Sequence, residues 1–197
     1  VSPPVGVSAE AHVKSLLRSG AAALSAGAVD AGIESLRQAV HKAEQGADHH
    51  LHATAMLELG KGLVYGVRGF DEEGSVFLRQ CSQIAQARGY GKIAANALIE
   101  LAYVEALAAR RPSAEHYLKN AQDFVGDCGD FAELHAVTAF NLIDWGKASD
   151  GLEHCSTSLQ YGQSSGSKRT KIWTLGMGAR GQLAVGDLDC AGTWLED

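Results

Sequence analysis

The sequence predicts an all-α solenoid of antiparallel helix pairs, and three observations carry that expectation. A helical phrase recurs about every forty residues, most clearly as GAVDAGIESL at Gly27–Leu36 and GFDEEGSVFL at Gly69–Leu78. Fainter copies run from Pro112 to Leu118, from Lys147 through Asp150, and from Gly186 to Leu195. Aligning Asp30, Glu72, Pro112, Asp150 and Asp189 gives steps of 42, 40, 38 and 39 residues, the mark of a stacked helical repeat. Apolar residues within each phrase fall three or four apart, as on one face of a helix. Finally, 46% of residues are hydrophobic, while Pro falls to 3; this suits helices with a continuous core.

The chain then reads as one helical-repeat domain, 1–197, in five units at approximately 9–46, 47–89, 90–128, 129–167 and 168–197. In the first unit a helix over Ala9–Ala26 precedes one over Asp30–Gln45, whose Ile33, Leu36, Val40 and Ala43 mark a buried stripe. Gly27 suits a left-handed helix end and Asp30 is expected to cap the next helix. The second unit pairs Asp48–Val67 with Asp71–Arg88, burying Val76, Leu78, Ile84 and Ala87 at least in part. The third pairs Gly91–Ala109 with Pro112–Val125, with Pro112 in a first turn where its missing amide costs nothing. The fourth pairs Asp130–Gly146 with Asp150–Tyr161 and ends in the loop-like Gly162–Lys168. The fifth starts near Arg169, turns at Gly186, and has only a short second helix from Asp189. Trp194 and Leu195 are expected to be poorly covered there, so the chain reads as a piece of a larger protein. That end is expected to fray or to form a weak homodimer.

Composition excludes several function classes. A net charge of -6, from 23 acidic and 17 basic residues, leaves no basic stripe for a duplex, so no nucleic-acid contact is expected. Cys81, Cys128, Cys155 and Cys190 lie far apart without a CxxC, so buried or free reduced thiols in a cytoplasmic protein are expected, with no metal site. No apolar run reaches the length needed to span a bilayer, and the start, Val1–Gly6, is no signal peptide. Phosphate-loop and dinucleotide fingerprints are absent, and the glycines of Gly176–Gly181 follow no strand. His49, His50 and His52 form the densest imidazole group, but nothing completes a ligand shell. The chain is therefore predicted to be no enzyme and to need no cofactor.

These phrases resemble tetratricopeptide repeats (TPR). The family's small mid-helix position falls on Gly20, Gly62, Ala102 and Ala179, with bulky Phe140 in the fourth unit. Its turn Gly is Gly27, Gly69 and Gly186, with Ala109 and Lys147 substituting. The next small position is Gly32, Gly74, Ala114 and Ala191, against Leu152 in the fourth unit. The later one is Ala39, Cys81, Ala121 and Leu159. The fourth unit fits worst, so its register is open by a residue or more. The resemblance implies a right-handed TPR-like superhelix. Its long, Ala- and Leu-rich units are similar to the sensor regions of MalT-like and LuxR-type bacterial regulators, which implies a ligand- or protein-binding module in transcription regulation and signal transduction. A stand-alone TPR scaffold for partner peptides is the alternative, and a small-molecule enzyme a more distant one.

In this family the first helices line the concave groove. Projecting the family's groove positions selects Lys14, Leu17, Met56, Leu59, Leu63, Asn96, Ile99, Tyr103, Leu107, Val137, Asn141, Asp144, Trp145, Trp173, Arg180 and Leu183. Asn96, Tyr103, Asn141, Asp144, Trp145, Trp173 and Arg180 are the expected binding set. Tyr and Trp offer rigid contact area with a polar edge, Asn can pair with a peptide backbone, and Arg can hold a carboxylate. A peptide segment, a neighbouring domain or a small effector is the expected occupant.

Overall fold

A computed structural model describes residues 9–67, 69–166 and 168–196, and among them every regular element is a helix. In chain order these are α1 (Ala9–Ser25), α2 (Val29–Glu44), α3 (His49–Gly66), α4 (Asp71–Arg88), α5 (Gly91–Leu107), α6 (Arg111–Gln122), α7 (Cys128–Asp144), α8 (Ala148–Ser165), α9 (Lys168–Val185) and α10 (Leu188–Glu196). They form two compact units that divide within α5, between Ala97 and Leu98. In the first unit α1 packs on α2, α3 on α4, and α3 also on α1 and α2. In the second, α7 packs on α6, α8 and α9, while α9 also meets α8 and α10. The first helices α1, α3, α7 and α9 thus each touch their own partner and, in the pairs α1/α3 and α7/α9, the first helix of the adjoining pair. This is the contact pattern of a repeat.

The turns inside the pairs set the register. Gly27, Gly69, Gly146 and Gly186 have φ between 78° and 88°, and Ala109 has φ 59°. These left-handed residues step by 42, 40, 37 and 40. The fourth turn residue is therefore Gly146, not Lys147. Moving the fourth unit back by one residue replaces Phe140 with Ala139 at the small mid-helix position, Leu152 with Gly151 at the next, and Leu159 with Ser158 at the later one. All three are buried. A Cβ on Gly151 would stand 2.5 Å from Ile143 Cγ1 and 3.2 Å from the Ala139 carbonyl, so α7 and α8 cross closely where only small residues fit.

The same crossing joins Gly32 to the Gly20 carbonyl and Gly74 to the Gly60 carbonyl. Gly60, not Gly62, is thus the crossing residue of the second pair, because its turn is two residues longer. Gly62 instead faces Leu24, Ile33 and Leu36.

The stripe on α2 is buried as expected at Ile33, Leu36, Val40 and Ala43. On α4 the buried face is Leu78, Cys81 and Ala85, whereas Val76 is 45% exposed and Ala87 is exposed. Burial, with Glu58 nearby, pushes the Cys81 thiol up to about 12; its S–H donates to the Ala53 carbonyl at 3.2 Å. Cys155, equally buried, is pushed up to about 12 by burial alone. All four cysteines are free thiols.

Helix starts also differ from expectation. Ala28 is the N-cap of α2 and gives no side-chain cap, so Asp30 acts from inside the first turn through its charge. On α10, expected to start at Asp189, the helix starts at Leu188 and the capping carboxylate is Asp187, accepting from Cys190 N at 2.9 Å. Asp48 does cap α3, accepting from Leu51 N at 3.0 Å. Helix α8 continues through Ser165 before Gly166 ends it at φ 69°, so most of the expected Gly162–Lys168 loop is helical. Trp194 is partly buried against Ala139, Ile143 and Cys155, contrary to the expected bare end. Leu195 is 70% exposed.

Candidate functional site

The second unit gathers several of the predicted residues on one face of α5, α7 and α9. With the turn at Gly146, the positions equivalent to Tyr103 on α5 are Phe140 on α7 and Arg180 on α9. Tyr103 meets Phe140 at 5.5 Å and Trp173 at 5.6 Å, the latter edge to face, and Phe140 lies 6.0 Å from Trp173. Edge-to-face contacts of this kind hold aromatic rings rigidly. One turn further along α7, Asp144 Oδ1 stands 2.6 Å from an Arg180 nitrogen, while its Oδ2 is 3.5 Å from Arg111. Arg111 also donates to the Ala106 carbonyl at 2.6 Å. Asp144 therefore ties α6, α7 and α9 together. Arg180 is half exposed, and Leu107 and Leu183 show 46% and 56% of their surface.

The other predicted residues lie elsewhere. Asn96 belongs to the first unit, where its amide donates to the Lys92 carbonyl at 2.9 Å. Asn141 and Trp145 line a cavity with residues of α6 and α8. Asn141 is 2% exposed, and Trp145 is exposed with the Lys147 ammonium 4.0 Å from its ring centre. The one-residue shift explains the separation, since Phe140 and Asp144 take the positions projected for Asn141 and Trp145. Of the wider groove set, Met56, Leu59, Leu63, Ile99 and Val137 are core residues.

Sequence reasoning missed a pair of histidines on α7 and α8. His135 Nδ1 and His154 Nδ1 are 2.7 Å apart, so one ring donates its N–H to the lone pair of the other. His135 also stacks on Tyr161, its ring centre 6.0 Å away. Burial holds both imidazoles below the ordinary 6.5; His154 acts further against His135, and Glu153 and Asp150 partly oppose the shift of His154. Burial lowers His52 as well, against Glu44. The sign follows directly. Above pH 6.5 these rings are neutral folded or unfolded, and as pH falls below it the unfolded chain takes up protons that the folded chain resists. Thermal midpoints should thus fall as pH drops below about 6.5, and His135→Gln should flatten that fall. A midpoint rising over this window would contradict the arrangement.

Among the described residues no group of three or more His, Cys, Asp and Glu is placed to hold a metal ion. No described helix is long and apolar enough to cross a membrane.

The sequence matches no protein-family model and no curated protein. Solved structures do match. The nearly identical TPR-like repeats assigned to a Podosopora anserina kinesin light chain superpose with a TM-score of 0.66 at 18% identity, covering 93% of this chain and 92% of that one. A point-substituted form of those repeats gives 0.67 at 17% identity, covering 93% and 91%. The fold is TPR-like. At that identity the likeness concerns the fold alone.

Proposed function

We propose that this chain is a non-catalytic interaction module that docks a partner peptide segment on the α5–α7–α9 face of its second unit. The observation that carries the reading is the pairing of a rigid aromatic layer, Tyr103, Phe140 and Trp173, with the half-exposed Arg180 two turns beyond Trp173 on α9. Exposed Leu107 and Leu183 on the same helices as Tyr103 and Arg180 supply apolar surface for anchor side chains. The Arg180 guanidinium contacts Asp144 through one nitrogen and keeps further donors for a carboxylate or a peptide carbonyl. A role inside a transcriptional regulator rests on sequence resemblance alone, and docking does not depend on it.

Peptides selected from a random linear display library should bind the chain and lose about tenfold or more in affinity on Tyr103→Ala or Arg180→Ala, as central anchors do. Selected peptides that bind both variants as tightly as the parent chain would overturn the assignment of this face.

A further inference from the structure

We infer that the cleft between α6 and α8 is a second binding site, for a short extended peptide segment without net charge. Helices α6 and α8 do not pack on each other among the described residues; each packs on α7, which floors the opening. The cavity has a volume of about 600 Å³, within the range of small-ligand sites. Leu118, Leu134 and Leu142 give it apolar walls.

Its lining holds an unmet polar group. Asn141 lines the cavity and is 98% buried, yet its carboxamide oxygen has no hydrogen-bond partner among the described residues. Leaving such an acceptor unpaired is costly, and a ligand that supplies a donor recovers that loss. The carboxamide turns about a broad terminal torsion, so it can offer the cleft either edge. A peptide bond presents the matching donor and acceptor side by side.

Charge selects the class of ligand. Glu115 and Lys119 of α6 and Lys147 and Asp150 at the start of α8 all line the opening, and among the described residues no ion pair joins them. His135 and His154, which also line it, are held neutral by burial. Two carboxylates against two ammonium groups favour neither an anion nor a cation. Trp145, with Lys147 over its ring, gives the mouth one rigid wall. This cleft is distinct from the α5–α7–α9 face and does not depend on docking there.

The test uses the intact chain, labelled with nitrogen-15, and N-acetyl-leucine-N′-methylamide as the probe. Saturable shifts of the Asn141 side-chain amide and the Trp145 indole are expected. Asn141→Leu removes the unpaired group without opening a void, and Trp145→Ala removes an exposed wall; each should weaken the probe about fivefold or more, whereas Tyr103→Ala and Arg180→Ala should leave it unchanged. No saturable shift at Asn141, unchanged affinity in both cleft variants, or tighter binding of the anion N-acetyl-leucine would each overturn the proposal. Loss of probe binding in the Tyr103 and Arg180 variants instead would merge the two sites and overturn it as well.

Discussion

Leu63→Ala should destabilise the chain by about 2–5 kcal/mol, the cost of emptying a fully enclosed leucine site. Leu63 has no exposed surface and its Cβ would lie 3.4 Å from a Cβ placed on Gly74, so α3 and α4 meet over it. Neighbouring Leu59 and Gly60 are equally enclosed, which leaves the site little room to collapse. Urea unfolding of the variant reads the loss directly. On an open groove, as the sequence projection had it, the same change would stay within about 0.5 kcal/mol; a result that small would return Leu63 to the surface.

Asp144→Ala should cost about 3 kcal/mol, the low end for breaking a buried ion pair. Its side chain is 16% exposed and that of Arg111 13%, so the substitution leaves a guanidinium enclosed with only the Ala106 carbonyl. Arg180→Ala removes the other partner, but that side chain is half in water, and its loss should cost no more than about 1 kcal/mol. The contrast between the two variants is the measurement, made by denaturant unfolding of each. Equal losses would mean that Asp144 serves Arg180 alone and does not link α6 to α7.

Both expectations arise where counting along the chain failed. Groove positions counted back from each turn hold only where all turns are alike. The second turn is two residues longer, so the count placed Leu59 and Leu63 on the wrong face of α3. In the fourth unit Lys147 stood in for the turn glycine beside it, and a one-residue error rotates a helix position by about 100°. That rotation is enough to exchange Asn141 and Trp145 for Phe140 and Asp144. The misfit of Phe140 and Leu152, with Gly146 and Gly151 one residue before Lys147 and Leu152, was the available signal.

The sequence by itself determined the helices, their pairing and the forty-residue period, because turn glycines and apolar spacing are local properties that each segment carries alone. The resemblance to the repeat family also put Cys81 at an inward small position, and it is fully buried. Only the tertiary structure decided which first-helix residues are core and which are surface. That choice depends on where neighbouring helices cross, as at Gly60 and Gly74 or Ala139 and Gly151, and a crossing belongs to two segments at once. The same holds for Asp144 with its two arginines, and for the His135–His154 contact across 19 residues of chain. Neither has a spacing that a single helix could reveal.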